Sequence, residues 1–203
     1  MVQRHRRCSG VVFFALATAV GLAALVPVGS AVAGGPEDEL EISIGGGGLT
    51  LAVPSNPTVS FGSVDLTGGD VFTEKWSNWA LVGDARGTDE GWTLVGVASD
   101  FVGDASGARI LAANLGWSPF AQVRPIVDDG LVPDVPFLTT PTVVAGPVVA
   151  PAQDAGLSTP KVLCSGDLGA STGQFDCVAY LKLGIPWSTA ADHFTSVLTL
   201  TLI

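Results

Sequence analysis

Histidine, serine and paired carboxylates are the side chains of this sequence that could catalyse hydrolysis. A serine, histidine and aspartate triad would have to use His193, because the only other histidine is His5, and no serine stands in a Gly-x-Ser-x-Gly turn. The acidic pairs Asp89-Glu90 and Asp128-Asp129 are adjacent in loops, whereas the two carboxylates of a glycosidase are held apart across a cleft. The residue pattern therefore predicts a protein that is not an enzyme.

Oxygen ligands for a hard cation are a second possibility. Asp84, Asp89 and Glu90 share one loop flanked by glycines, and Ca²⁺ is bound by carboxylates of this kind. Their spacing does not match an EF-hand loop, so a solvated acidic loop is the favoured interpretation and calcium is the alternative. The run Gly45–Gly48 lacks the lysine that a phosphate-binding loop requires. We expect no cofactor, and calcium binding is left open.

Two cysteines remain once an N-terminal signal peptide is removed. Cys164 and Cys177 have twelve residues between them, and an even pair in an exported chain predicts a disulfide. The alternative, a metal site with two thiolate ligands, would need histidine partners, and the predicted mature chain has a single histidine, His193. Closing a loop of this size stabilises the fold by about 3 kcal/mol in the chain-entropy model.

The first 33 residues have the organisation of a secretory signal peptide. Three arginines precede an apolar stretch at 11–28, and Ala31-Val32-Ala33 supplies the small residues that a signal peptidase reads. A membrane-spanning helix is the alternative, but Pro27 and Gly29 favour cleavage before Gly34. The sequence predicts a signal peptide at 1–33, one secreted or cell-surface domain at 34–203, and no stable membrane insertion after cleavage.

The charge of the predicted mature chain excludes one class of partner. It holds six basic and nineteen acidic residues, a formal charge of about −13. Nucleic-acid binding needs a cationic surface that displaces counterions from phosphates. We therefore expect no nucleic-acid partner.

Period-two alternation of apolar residues in short runs predicts an all-β fold, a single β-sandwich of Ig-like or jelly-roll-like type. The clearest strands are 175–183, which turns Cys177 toward the core and Tyr180 outward, and the long terminal strand 194–203. The same alternation of apolar residues begins at Leu40, Ile42 and Ile44 and resumes at 49–53. Trp79–Val82 and Trp92–Ser99, separated by a polar glycine-rich loop, are expected to form a hairpin.

Proline dominates the stretch 125–160, which predicts extended edge segments and loops. Val143-Val144 and Val148-Val149 are its strand candidates. Ile110–Ala112 and Leu115–Trp117 are expected to be short strands around a turn at Asn114.

The most specific segment of the sequence is 82–94, in which Asp84-Ala85-Arg86-Gly87 leads into Gly91-Trp92-Thr93-Leu94. It resembles the first half of the WxL domain, a family of surface proteins of Gram-positive bacteria. Ile185-Pro186 and the segment 191–202 resemble the closing strand of that family, with Leu200 at the position of its second tryptophan. The resemblance covers roughly Leu40 to Ile203. It implies non-covalent attachment to cell-wall peptidoglycan, often beside partner surface proteins.

The leading candidates for ligand binding are Trp92 and Leu94, which the motif singles out, and Trp76 and Trp79, which could stack on sugars. Trp117 and Trp187 are further candidates for such stacking. A tryptophan that enters a strand after a polar loop is by default a core residue burying about 200 Å², and the tryptophans as a group are expected to be more buried than exposed. Two functions follow. The first is a non-catalytic protein that binds the cell wall, and the alternative is a freely secreted structural or adhesive module that assembles with itself or another exported protein.

Overall fold

Almost every regular element of the structure is a β-strand. The computed structural model describes residues 45–55, 57–125 and 140–203, all within the unit Ile44–Ile203. The predicted signal peptide and the strand expected around Leu40–Ile44 lie outside the described residues. The described segments contain two 3₁₀ turns, Ala112–Asn114 and Gly156–Ser158, and twelve strands: β1 Leu49–Ala52, β2 Val71–Trp76, β3 Ala80–Asp84, β4 Trp92–Ala98, β5 Phe101–Gly103, β6 Arg109–Ile110, β7 Leu115–Val123, β8 Val143–Ala145, β9 Lys161–Gly166, β10 Gly173–Ile185, β11 Phe194–Thr195 and β12 Leu198–Leu202.

The longest strand, β10, organises a five-stranded antiparallel sheet. It pairs with β7 along one side and with β2 and β3 in succession along the other, and β1 pairs with β3. The predicted strand 175–183 is confirmed within β10. Gly184 and Ile185, which lie beyond the predicted end of the strand, still pair with β2, and the strand ends before Pro186, which has no N–H to continue the ladder.

A four-stranded antiparallel sheet has the order β12-β4-β9-β8, and β11, β5 and β6 form a small third sheet. The terminal segment predicted as one strand is divided here, because β11 pairs with β5 and β12 pairs with β4. The break occurs where hydroxyl groups replace ladder bonds. Ser196 Oγ donates to the carbonyl oxygen of Ser99 at 2.6 Å, and the N–H of Val197 donates to Ser99 Oγ at 3.0 Å.

The expected hairpin between Trp79–Val82 and Trp92–Ser99 is wrong. Both segments form strands, but β3 pairs with β1 and β10, whereas β4 pairs with β12 and β9 in the other large sheet. The loop between them carries the chain from one sheet to the next. Alternation identifies each strand from local sequence, but strands distant in sequence decide its partner.

The short strands fall close to their predicted positions. Of the two strands expected around Asn114, the predicted strand Ile110–Ala112 overlaps β6 only at Ile110, because Ala112–Asn114 form a 3₁₀ turn. The second, β7, runs on to Val123. Val143 and Val144 lie in β8, and Val149 forms an isolated bridge with Trp117. Residues 126–139 of the proline-rich stretch lie outside the described residues.

The inner faces of the two large sheets supply one buried apolar cluster. Trp92 of β4 packs against Phe175 of β10, with ring centroids 5.1 Å apart. The predicted disulfide is confirmed: Cys164 of β9 bonds to Cys177 of β10, and both cysteines are fully buried. The disulfide therefore joins the four-stranded sheet to the five-stranded sheet through the core.

Replacing Cys164 and Cys177 together by alanine should lower the free energy of unfolding by about 3 kcal/mol, because the unfolded chain loses a restraint on a short loop. Urea unfolding followed by tryptophan fluorescence measures this change. Ser165→Ala, beside Cys164 on β9, is the matched control and should keep the wild-type midpoint. Equal midpoints for the cysteine variant and the wild type would contradict the expectation.

Candidate functional site

The loop that follows β3 is built around an ion pair between the buried carboxylate of Asp84 and the partly exposed guanidinium of Arg86. Arg86 Nη2 lies 2.8 Å from Asp84 Oδ2, and Arg86 Nε donates to Asp84 Oδ1 at 3.0 Å. The Asp84 side chain is buried, so this two-point contact supplies the partners that a buried carboxylate requires. Arg86 Nη2 also donates to the carbonyl oxygen of Gly91 at 2.7 Å, which closes the loop on itself.

Ser171, just before β10, connects this loop to the core. Its Oγ donates to Asp84 Oδ2 at 3.1 Å and accepts the N–H of Gly91 at 3.1 Å. Its carbonyl oxygen accepts the indole N–H of Trp92 at 3.3 Å. The ring of Trp92 lies so close to Gly166 of β9 that a Cβ there would be 2.4 Å from Nε1. Ser171 and Gly166 therefore hold Trp92 in one position, and Ser171 links it to Asp84 of the motif.

The three calcium candidates have protein partners in this arrangement. Hydrogen bonding to Arg86 lowers the pKa of Asp84, and hydrogen bonding to Thr172 lowers the pKa of Asp89. Glu90 is exposed, with Oε2 3.6 Å from Arg86 Nη1. The described part of the chain holds no group of three or more acidic, histidine or cysteine side chains placed to bind a metal ion. The interactions that the structure shows for Asp84 and Asp89 are structural.

Trp92 and Leu94 are core residues. Their side chains are 4% and 0% exposed, and both point inward from β4. A ligand in solution therefore has no open face of either residue to contact. The motif that carries the family resemblance is thus a packing and loop-closing element in this structure.

The other two candidates, Trp76 and Trp79, lie on the surface. They are 54% and 44% exposed, against the expectation that the tryptophans are mostly buried. Trp76 packs on Tyr180, with ring centroids 5.0 Å apart, and Trp79 meets Phe120 edge to face at 6.3 Å. We call the surface formed by Trp76, Trp79, Phe120 and Tyr180 the aromatic surface.

A bulge places both tryptophans on the same face. Trp76 lies opposite Tyr180 of β10, while Ala80 lies opposite Cys177, so Trp79 falls beside Val178. Going from Trp76 to Trp79 therefore takes three residues, whereas the matching length of β10, from Tyr180 to Val178, takes two. In an unbroken strand, residues three apart would point to opposite faces.

Ser77 stabilises the bulge. Its N–H donates to the carbonyl oxygen of Ala179 at 2.8 Å, and its Oγ accepts the N–H of Ala179 at 2.9 Å. The same Oγ donates to the carbonyl oxygen of Asn78 at 3.1 Å. These bonds pair the backbone groups that the extra residue would otherwise leave without partners.

Between the two tryptophans the aromatic surface opens into a cleft of about 330 Å³. This volume lies within the range of small-molecule binding sites. Val178 is buried beneath the ring side chains, and Ser77 is the polar member of the lining. The cleft is lined by Trp76, Ser77, Trp79, Phe120 and Val178.

Ion pairs lie on β10 on either side of the cleft. Lys182 Nζ is 3.1 Å from Glu74 Oε1 on one side, and Arg124 Nη2 is 3.2 Å from Asp176 Oδ1 on the other. Hydrogen bonding to Lys182 lowers the pKa of Glu74, so this carboxyl stays ionised and paired at neutral pH. An uncharged aromatic cleft between polar borders can hold an apolar ligand face and offer hydrogen bonds at its ends.

The sequence alone did not identify Phe120 and Tyr180 as members of the aromatic surface. The alternation of β10 does place Tyr180 outward, but it does not show which aromatic residues gather around it. Phe120 reaches the cleft because β7 pairs with β10 so that Phe120 lies opposite Val178. Of the remaining tryptophans, Trp117 is buried and Trp187 is 69% exposed, and neither lines the cleft.

The chain matches no protein-family model, no curated protein and no solved structure. In the described segments, no helix is long and apolar enough to cross a bilayer. The family resemblance therefore rests on the residues that carry it, and function is argued from the site.

Replacing Arg86 by alanine should lower the free energy of unfolding by clearly more than the control below, because the buried Asp84 carboxylate loses its charged partner. Urea unfolding at neutral pH measures the loss. Arg109→Ala is the control, since Arg109 is exposed and lies 3.5 Å from Asp100; its effect should stay within about 0.5 kcal/mol. Equal losses of stability in the two variants would contradict the role assigned to the ion pair of Asp84 and Arg86.

The stability of the protein should also fall in acid. The pKa of Asp84 is lower in the folded chain than the value of about 3.9 expected in the unfolded chain. The contribution of the ionised Asp84 to the free energy of unfolding is therefore complete above the unfolded-chain pKa. It is lost as the pH falls through the folded pKa. Unfolding measured over a pH series should show this decline, and Asp84→Asn should flatten it. An unchanged slope in the variant would contradict the assignment.

Proposed function

We propose that this chain is a secreted, non-catalytic surface protein that binds bacterial cell-wall peptidoglycan non-covalently through the aromatic cleft. One observation carries the proposal, namely the exposed, uncharged cleft between Trp76 and Trp79. Exposed apolar side chains that stand singly need no explanation, but a contiguous group of aromatic rings marks a contact surface. Sugar rings have C–H faces that stack on aromatic rings, which makes the glycan strand of the wall the fitting ligand.

We also propose that the fold is a single WxL-like β-sandwich. Three features support this inference: the two large sheets share one buried apolar cluster, the Cys164–Cys177 disulfide connects them, and residues 82–94 and 185–202 resemble that domain. In this interpretation the Trp-x-Leu motif serves the fold. Wall attachment is then assigned to the outer face of the five-stranded sheet.

The charge of the chain favours a short-range mode of binding. The chain carries a net charge of −10, and the predicted mature form is more acidic still, so an anionic wall repels it at long range. The cleft lining is uncharged, and the acidic residues beside it are paired with Lys182 and Arg124. Stacking in the cleft is therefore the contact that such a protein can make with an anionic polymer.

Binding without catalysis suits the chemistry of the cleft. Among the described residues, its lining has no acidic, histidine or cysteine side chain that could transfer a proton or attack a glycosidic bond. Export is part of the same proposal. The predicted signal peptide at 1–33 would direct the chain out of the cytoplasm, and a disulfide is typical of oxidising compartments.

The proposal is tested by sedimentation with purified cell-wall sacculi. The exported protein should pellet with the sacculi. Trp76→Ala and Trp79→Ala should each weaken binding about tenfold or more, because each removes one wall of the cleft. Retention should persist at high salt, since stacking is not screened as ion pairs are.

Trp187→Ala is the matched control, because Trp187 is exposed but does not line the cleft. This variant should pellet like the wild type. Wild-type protein that stays in the supernatant would overturn the proposed function. Equal weakening by the three tryptophan variants would overturn the assignment of binding to the cleft.

A further inference from the structure

The strand β12 forms an edge of the four-stranded sheet. Its partner among the described residues is β4, and the order of the sheet places it at the end. An edge strand has a row of backbone N–H and C=O groups that can pair with another strand.

The register with β4 determines which backbone groups of β12 are available to another strand. Ile203 and Thr93 exchange both backbone hydrogen bonds at 2.9 Å, and Val197 accepts the N–H of Ser99 at 2.9 Å. In an antiparallel ladder, bonded residues alternate along the strand, so the odd-numbered residues of β12 point their backbone groups toward β4. The N–H and C=O groups of Leu198, Leu200 and Leu202 therefore point away from β4.

Nothing in the sequence of this strand discourages pairing. Natural edge strands are protected by charged side chains, prolines or bulges. The segment 194–203 contains no charged residue, no proline and no glycine. Thr199 and Thr201 are exposed on the outer face, so within the described segments both the edge and its flanking side chains are open to a second strand.

The strand is also complementary to itself. The sequence of β12, Leu-Thr-Leu-Thr-Leu, is the same in both directions. Antiparallel pairing of two copies, centred on Leu200, therefore places each leucine opposite a leucine and each threonine opposite a threonine. Leu198, Leu200 and Leu202 are only partly buried against the core, and a second copy would cover them further.

We propose that the protein forms a two-fold symmetric dimer in which the β12 strands of two copies pair antiparallel about Leu200. The contact uses the same surface on both copies, so it closes at two and does not extend into a fibre. The four-stranded sheets of the two copies become one continuous sheet. The proposal is independent of wall binding, because the cleft lies on the other large sheet.

Charge substitutions on the outer face test this register. Thr199 of one copy lies directly opposite Thr201 of the other, so Thr199→Lys with Thr201→Lys places like charges face to face. Light scattering after gel filtration should give a dimer mass for the exported wild type and a monomer mass for this double variant. The variant with Thr199→Glu and Thr201→Glu should also be a monomer.

Mixing the two double variants should restore the dimer, because lysines then face glutamates. A substitution that merely disturbed the fold would not be rescued in this way. Thr195→Lys, an exposed threonine of β11 outside the paired residues, is the control and should remain dimeric. A monomeric wild type, double variants that stay dimeric, or a mixture that stays monomeric would each overturn the proposal.

Discussion

The pleat of β10 is the constraint on which the structure depends. Successive side chains of a strand point to opposite faces, and β10 uses both faces over its thirteen residues. Its inner face supplies Phe175 and Cys177, which contact Trp92 and Cys164 of the facing sheet. Its outer face carries the base of the aromatic cleft. A shift of one residue in its register would exchange the two sets and remove the core and the cleft together.

The ion pair between the buried Asp84 carboxylate and Arg86 explains why a polar motif precedes a buried tryptophan. A charged pair inside a protein is weak evidence for stability, because both ions lose their hydration. Here the pair gives the loop between the sheets one conformation. Ser171 bonds both to Asp84 and to the indole of Trp92, so the loop conformation also fixes the position of the indole. The requirements of folding alone therefore account for the motif, and the proposed ligand contacts lie elsewhere on the molecule.

The two proposals combine into one physical picture. A single aromatic cleft offers limited contact area, and a strongly acidic protein gains nothing from long-range attraction to an anionic wall. The proposed dimer would carry two clefts, so its second contact with a glycan polymer would be intramolecular and would strengthen the overall attachment. Reversible attachment through several weak stacking contacts suits a protein whose net charge opposes adhesion.

Local sequence was enough to predict the β-rich fold, the disulfide and the strand 175–183, because alternation and cysteine pairing leave a clear local pattern. The signal peptide and the family resemblance stay predictions. Tertiary structure decided the rest. It assigned β3 and β4 to different sheets, divided the terminal segment at Ser196, and turned Trp76 and Trp79 to the same face through a bulge opposite Ala179. The physical reason is that a residue's face depends on the register of distant partner strands, which no local window of sequence contains.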